Sequence, residues 1–228
     1  MKIVKALALS LCLSTGFFCR AQEPGFLVGV DGGGGLSFLR GSKALEHLDA
    51  RLSCTGGLSA QYDFRKFFSL KTGAYYDLKG AGTDIEMTDA VGNKLGSTRI
   101  QQNFHYLSVP LLARLHFGRE IGWFVNAGPY MGLLLKQTVS FGSAINNPGS
   151  RLDGTDNFKR TEFGIAMGIG MSFTLDRMIF SVEARNNLGL TNTSKLPVYG
   201  GGSIKTNAAN LVFGIGYKLG NTKTVGAK

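Results

Sequence analysis

The sequence predicts an all-β protein: an eight-stranded antiparallel up-and-down transmembrane β-barrel that follows an N-terminal signal peptide. Three observations predict this fold. Eight segments alternate large apolar residues with small or polar ones, which is the period-2 pattern of a strand whose two faces meet different surroundings. The joins between the segments are alternately short and long. The first residues have the composition of a leader that is removed on export.

The N-terminal segment is expected to be the signal peptide. Two lysines precede an uncharged run, residues 6–19, and small residues lie three positions and one position before an expected cut at Gln22. The run is shorter than the ~20 residues of a spanning helix, which argues against a membrane anchor. The predicted organisation is therefore a signal peptide at 1–21, an outer-membrane barrel at 22–220 and a polar C-terminal tail at 221–228.

Composition restricts the remaining classes of protein. The chain has 228 residues and a formal net charge of +10, and its length after export suits one domain or one barrel. Two of its three cysteines lie in the expected signal peptide, so Cys54 has no partner for an intramolecular disulfide. A basic chain can bind nucleic acid, but an exported protein rarely meets it. We therefore expect no nucleic-acid partner.

The sixth segment, residues 162–175, shows the alternation most clearly. Its odd positions are all large and apolar, and its even positions are all small or polar. The pattern holds for 14 residues, which exceeds the ~9–11 residues that a tilted strand needs to cross a bilayer. One face is therefore expected to meet lipid and the other the interior of a barrel.

The other segments repeat the pattern at 26–38, 51–64, 67–79, 102–117, 123–136, 178–188 and 208–219. The glycine run Gly32–Gly35 in the first segment lacks the G-K-[ST] ending of a phosphate loop and precedes no helix. Glycines there are expected to mark curvature or close approach of neighbouring strands. Pro110 in the fourth segment cannot donate to a ladder, so a bulge or a missing bond is expected beside it.

The joins between segments distinguish the two ends of the barrel. They are short near Arg65, 118–120 and 176–177, and long at 39–50, 80–101, 138–159 and 191–206. An even strand count with short turns at one end and long loops at the other is typical of outer-membrane barrels. The join 80–101 contains a hairpin-like D-A-V-G-N at 89–93, so the third and fourth strands are expected to project beyond the membrane.

Aromatic residues gather on the apolar face near the short turns. Amphipathic rings favour the interfacial depth of a membrane. The residues expected to form a periplasmic aromatic girdle are Phe64, Phe68, Phe117, Trp123, Phe173 and Tyr217.

Charged residues occur on the face expected to point into the lumen. They are Asp31, Lys71, Asp77, Arg114, Lys136, Glu162, Glu183 and Arg185. Counting from the short turns places five of them at similar depth, and we predict that these form a lumen charge network: Asp31, Lys71, Arg114, Glu183 and Arg185. Charges in so narrow an interior must form ion pairs, because a buried charge that stays unpaired destabilises the folded protein. The network is expected to be either a structural plug or a gated ion path.

Other candidate chemistry is weaker. Ser42, His47 and Asp49 can be written as a Ser/His/Asp set, but their spacing matches no catalytic motif. We therefore predict no catalytic residues and no enzymatic activity. The acidic residues of the join 80–101 do not follow the calcium-loop spacing, so no metal is expected, and no cofactor is expected either.

Three basic residues near the expected outer rim, Arg40, Lys43 and Arg51, are candidates for contact with lipid phosphates. Outer-membrane lipid and lipopolysaccharide are accordingly expected partners.

Four motifs carry a family resemblance: Y-L-S-V-P-L-L-A-R at 106–114, A-G-P-Y-M-G at 127–132, F-G-I-A-M-G-I-G at 163–170 and V-E-A-R-N-N-L-G-L-T-N at 182–192. In these the chain resembles the outer-membrane β-barrel family that includes PorT and proteins labelled "porin family". The resemblance implies an eight-stranded barrel in a Gram-negative outer membrane, and some family members serve secretion or gliding machinery. The chain departs from many outer-membrane barrels because it lacks a terminal Phe.

The sequence therefore favours a non-enzymatic integral outer-membrane protein that stabilises the envelope or binds an envelope protein through its long loops. A secretion-accessory role would follow from the resemblance to PorT. The alternative function is a narrow channel for ions or small solutes. The alternative fold is a soluble β-sandwich or a lipocalin-like carrier.

Overall fold

The computed structural model describes residues 25–45, 47–88, 91, 94–118, 122–142, 151–198 and 201–219. The expected signal peptide and the expected polar tail lie outside the described residues, as does most of the expected hairpin tip at 89–93. Within the described residues, no helix combines the length and the apolar character that crossing a membrane would require.

The described residues form nine strands and two short 3-10 turns. The strands are β1 (Gly25–Arg40), β2 (Asp49–Arg65), β3 (Phe68–Thr88), β4 (Lys94–Phe117), β5 (Gly122–Phe141), β6 (Arg151–Asp153), β7 (Thr161–Leu175), β8 (Met178–Gly189) and β9 (Lys205–Leu219). The turns are Lys43–Leu45 and Thr155–Asn157. All strands except β6 correspond to the eight predicted segments. β6 lies in a join that was expected to be a loop.

Eight of the strands form a closed antiparallel ring. β1 to β5 pair in order, β5 pairs with β7, and β7, β8 and β9 follow. The last strand returns to the first, in a ladder that runs from Phe26 opposite Leu219 to Arg40 opposite Lys205. Every barrel strand therefore has two neighbours, which removes the free edges of an open sheet. The predicted eight-stranded up-and-down barrel is confirmed.

The two faces of the strands differ as predicted. In β7 the outward side chains of Phe163, Ile169 and Phe173 are 50%, 57% and 55% exposed, whereas Glu162 and Ala166 are buried. The same alternation runs along the other barrel strands. Apolar side chains therefore surround the barrel, which is the arrangement of a barrel in a membrane. Its interior is filled by charged, polar and small residues together with buried rings such as those of Tyr75 and Phe124.

The glycine-rich part of β1 lies very close to β9. A Cβ added to Gly33 would collide with the carbonyl oxygen of Leu211, and one added to Gly35 would collide with that of Ala209. Only glycine allows the two backbones to approach this closely. The expected close approach of strands at this run is confirmed.

Pro110 interrupts the ladder between β3 and β4. Pairing is missing at residues 73–74 opposite residues 109–110, and the register is the same on both sides of the gap. The hydroxyl of Thr72 donates to the carbonyl oxygen of Pro110 at 2.7 Å. The expected local break is confirmed, and it is a missing pairing rather than a bulge.

A bulge occurs in β5 at Leu135, where the register with β4 shifts between His105 and Tyr106. At this shift, Leu135 and Lys136 are both exposed and Gln137 is buried. The prediction that Lys136 faces the lumen is therefore wrong. One extra residue in a strand moves the residues that follow it to the other face, which strict alternation cannot anticipate.

β3 and β4 extend beyond their neighbours at the long-loop end. β2 pairs with β3 only as far as Gly82, and β5 pairs with β4 only as far as Ile100. The two strands continue to pair with each other up to Thr88 opposite Lys94. They form a two-stranded ribbon past the barrel rim, as expected from the sequence.

Candidate functional site

Two layers of buried charged side chains lie inside the barrel. The inner charge layer is nearer the short turns and consists of Asp31, Lys71, Arg114, Glu183 and Arg185. The outer charge layer is nearer the long loops and consists of Lys79 and Glu162. These side chains point into the lumen because each occupies an inward-facing position of β1, β3, β4, β7 or β8.

Asp31 and Lys71 form the first ion pair of the inner charge layer. Lys71 Nζ lies 2.5 Å from Asp31 Oδ2, and both side chains are almost fully buried. The hydroxyl of Tyr75 donates to the same carboxylate oxygen at 2.7 Å. The two charges come from β1 and β3, so the pair spans the intervening strand β2 across the lumen.

Glu183 is held between two arginines. Arg185 Nε lies 2.6 Å from Glu183 Oε1, and Arg114 Nη2 lies 2.9 Å from Glu183 Oε2. Arg114 also donates to Gln61 Oε1 at 3.1 Å, and its guanidinium carbon lies 3.9 Å from the ring centre of Phe124. Such charge-assisted bonds from two sides satisfy the carboxylate and fix the rotamers of both arginines.

Tyr75 joins the two halves of this layer. Its hydroxyl binds Asp31, and the guanidinium carbon of Arg185 lies 5.3 Å from the centre of its ring. The structure thus brings together all five residues that the sequence analysis placed at one depth. Three cations face two carboxylates in this layer.

Two inward glycines make room for the inner charge layer. A Cβ on Gly168 would lie 2.6 Å from Glu183 Oε1 and 2.7 Å from Asn126 Oδ1. A Cβ on Gly214 would lie 2.5 Å from Asp31 Oδ1. The lumen is therefore filled to the point where these two positions exclude any side chain.

The outer charge layer was not predicted as a pair. Lys79 Nζ lies 3.3 Å from Glu162 Oε1 and 4.7 Å from the ring centre of Tyr130. Glu162 also accepts hydrogen bonds from the hydroxyls of Tyr130 and Thr206, the latter at 2.7 Å. The sequence places Glu162 among the inward charges. Lys79 holds an inward position of the third segment, which is the signal that identifies it.

Asp77 lies between the two layers beside a small cavity. Its Oδ1 accepts a hydrogen bond from the hydroxyl of Thr55 at 2.6 Å. Three buried atoms, Asp77 Oδ2, Ser108 Oγ and Asn187 Oδ1, have no hydrogen-bond partner among the described residues. All three residues line a cavity of about 10 Å³ that Arg185 also borders.

The loop end of the lumen is closed by apolar side chains. They are Leu39, Ala81, Phe104, Tyr106, Leu134 and Phe158. Phe158 comes from the join between β6 and β7, and its ring meets that of Phe104 edge-on with centres 4.9 Å apart. The side chain from the loop therefore packs on residues of the barrel wall.

Backbone hydrogen bonds connect the long loops to each other. Lys159 N donates to Thr193 O at 2.7 Å, and Thr193 N donates to Ile204 O at 2.8 Å. Ser203 N donates to Gly41 O at 2.8 Å. The joins that follow β1, β6 and β8 are thereby bonded into one covering over the apolar cluster.

The predicted girdle residues all lie at the short-turn end and on the outer face. Phe64, Phe117, Trp123, Phe173 and Tyr217 are exposed, and Phe68 is partly exposed. The rings of Phe64 and Phe68 are 5.7 Å apart between centres, and Phe173 stacks on Phe180 at 5.1 Å. These positions form an aromatic rim around this end of the barrel.

The remaining candidates contribute no built site. Asp84 pairs with Arg99 at 3.2 Å on an exposed surface, and His47 is exposed. Arg40 donates to the carbonyl oxygen of Gly189 at 2.5 Å, so its charge is directed at the barrel backbone. Across the described ranges, no group of three or more His, Cys, Asp or Glu residues is arranged to hold a metal ion.

Several solved structures match the chain at low sequence identity. Neisserial surface protein A matches at 13% identity and a TM-score of 0.47, covering 87% of this chain and 100% of its own. The outer membrane protein OprG from Pseudomonas aeruginosa matches at 14% identity and a TM-score of 0.40, and the match covers 89% of this chain and 99% of OprG. Ail of Yersinia pestis, solved with the heparin analogue sucrose octasulfate, matches at 15% identity and a TM-score of 0.38. The match covers 85% of this chain and 99% of Ail.

No curated protein sequence matches the chain significantly. A family model described as "Outer membrane protein beta-barrel domain" matches residues 20–195, which is most of the chain and includes β1 to β8. The closed ring, the apolar outer face and this match agree. The chain therefore belongs to the outer membrane protein beta-barrel domain family and is located in the cell outer membrane.

Proposed function

We propose that the protein is a non-enzymatic outer-membrane barrel whose lumen is a structural plug and whose role lies at its outer surface. The observation that carries the proposal is the charge balance inside the barrel. Among the residues that the structure describes, the buried cations are Lys71, Lys79, Arg114 and Arg185, and the buried carboxylates are Asp31, Asp77, Glu162 and Glu183. Four charges of each sign fill the lumen, so it needs no mobile counter-ion.

The competing function is a narrow channel for ions or small solutes. A conducting path needs continuous water between the two ends of the barrel. The cavity beside Asp77, between the charge layers, has a volume of only about 10 Å³, and apolar side chains cover the loop end. A larger pocket of about 820 Å³ is lined mostly by outward apolar side chains, with Asn126, Arg185 and Asn210 also at its border. The small lumen cavity and the apolar cover favour a plug.

Planar-bilayer recordings on the purified full chain test the plug. We expect no channel events from the wild type. We also expect none from Glu183→Ala, because Phe124, Tyr75 and Gln61 still occupy that depth. Steady single-channel conductance of the wild type would contradict the plug and favour the channel. Ser37→Ala, a buried lumen substitution without a charge change, serves as the control.

The outer surface is proposed to stabilise the envelope or to bind an envelope protein. The ribbon of β3 and β4 and the bonded loops present an ordered surface beyond the barrel rim. The resemblance to PorT supports a secretion-accessory partner. Cross-linking of intact cells followed by purification in detergent should capture the same partner with the full chain and lose it when residues 84–98 are replaced by a short turn. Equal capture by both proteins would exclude the ribbon as the binding surface.

A further inference from the structure

We propose that basic residues on the outer face of the barrel, at the long-loop end of β4 and β5, bind the phosphate groups of lipid A. The outer-rim basic cluster consists of His105, Lys136 and Arg151. Lipid A is the phosphorylated lipid of the outer leaflet, and the long loops of an outer-membrane barrel face that side. The inference deepens the proposed role of the outer surface and rests on that orientation.

The bulge between β4 and β5 creates the cluster. It turns Lys136 outward, where it lies opposite His105 in the ladder. Arg151, the first residue of β6, lies opposite Ser140 of β5 in the ladder. The charges of Lys136 and Arg151 both act on the ring of His105, as does that of Arg51 on β2, whose side chain is partly buried. The hydroxyl of Tyr76 hydrogen-bonds His105 Nδ1 and fixes the ring.

An apolar surface lies next to the cluster on the barrel side. Leu107 and Leu133 are opposite each other in the ladder, and Leu135 follows. Their side chains are 39%, 42% and 47% exposed. Basic groups beside a leucine surface match a molecule that carries phosphates at one end and acyl chains at the other. A free phosphate ion would make no use of the leucines, which is why the proposal commits to a lipid.

One carboxylate lies among these bases. Asp153 Oδ2 is 3.8 Å from Lys136 Nζ, and both groups are exposed. Thr155 donates two hydrogen bonds to Asp153, and these lower the pKa of the carboxyl, so it remains charged at neutral pH. Arg160 also acts on Asp153. Lys136 and Arg151 carry two positive charges against the one negative charge of Asp153, so the cluster keeps a positive excess that a phosphate can neutralise.

Native mass spectrometry of the full chain in detergent, with bisphosphorylated lipid A as the probe, measures the binding. We expect Lys136→Gln with Arg151→Gln to weaken it on the order of tenfold, since each basic residue near an anionic lipid surface contributes appreciably. Lys136→Arg should retain the affinity. Asp153→Asn should increase it, because the substitution removes the one competing negative charge while the amide oxygen still accepts from Thr155.

The matched control is Arg65→Gln with Lys66→Gln, which removes two exposed charges at the short-turn end. It should leave lipid A binding unchanged. Lipid A without phosphates and phosphatidylglycerol should both bind at least tenfold more weakly than the bisphosphorylated form. Equal binding of dephosphorylated lipid A, equal binding of phosphatidylglycerol, or equal loss in both double variants would overturn the inference. Bilayer conductance does not involve this cluster, so a failed plug and a failed lipid site are separate results.

Discussion

Lys79 and Glu162 form an ion pair in the outer half of the lumen, 3.3 Å apart, and neither side chain is more than 1% exposed. They come from β3 and β7, which are not neighbours in the ring. Glu162→Gln should therefore destabilise the folded barrel by about 3–5 kcal/mol, because it removes the carboxylate that contacts the buried Lys79 ammonium. Urea unfolding in lipid vesicles, followed by the gel mobility shift of the folded barrel, measures the change.

The matched control for this prediction is an exposed ion pair. Asp84→Asn breaks the pair with Arg99, whose side chain is 53% exposed, and it should cost at most about 1 kcal/mol. The double substitution Lys79→Met with Glu162→Leu should recover most of the loss, since it removes both charges from the interior. If the double variant is as unstable as Glu162→Gln, burial of an unpaired charge is not the cause.

Gly168→Ala and Gly214→Ala should each destabilise the barrel by roughly 1–3 kcal/mol, because the new methyl group overlaps a carboxylate oxygen of the inner charge layer. The control is Gly56→Ala, where the nearest atom, Asp31 O, would lie 3.9 Å from the new Cβ. That substitution should be neutral or slightly stabilising, since alanine restricts the unfolded chain. The same urea titration compares all three variants, and similar losses at all three positions would contradict the packing explanation.

An ordered water molecule should occupy the cavity beside Asp77. The cavity of about 10 Å³ has the size of one water molecule, and three unpartnered polar atoms surround it. A high-resolution crystal structure should show solvent density within hydrogen-bond distance of Asp77 Oδ2 and Ser108 Oγ. Ser108→Val should remove that density and leave Asp77 without its partner. If the wild-type structure shows no solvent density at this position, the prediction is wrong.

Trp123 should lie at interfacial depth. It is the one tryptophan of the chain and is 48% exposed on the outer face, and indole favours the membrane interface. Its fluorescence should be quenched more by lipids brominated near the headgroup than by lipids brominated near the chain ends. In the control, Trp123→Phe with Ile165→Trp, the order should reverse. Ile165 lies opposite Pro129, about 14 Å deeper on a tilted strand.

The strands were predictable because their signal is local. Alternation at residues 162–175 requires only that each side chain face lipid or lumen, and the barrel confirms the resulting faces. The position of Lys136 was not predictable, since one bulge opposite His105 reverses the faces after it. A bulge depends on the partner strand, and the alternation of one segment does not report it.

The contacts within the lumen likewise include some that the sequence predicts and some that it does not. Alternation identifies Arg114 and Glu183 as inward residues, and counting from the short turns places them at similar depth. The partnership of Lys79 with Glu162 depends on the stagger accumulated over β4 and β5, which no single segment encodes. The hydrogen bonds of the loop covering around Phe158 are equally non-local, because they link residues of three different loops.

The ladder between β1 and β9 sets the order in which this barrel can be made. Phe26 lies opposite Leu219, so the earliest strand remains half-bonded until the final strand has been translocated. The backbone groups on its β9 side meanwhile have no permanent partners and cannot enter hydrocarbon alone. Closure of the cylinder must therefore wait for the last strand, and we expect it to be coupled to insertion into the membrane.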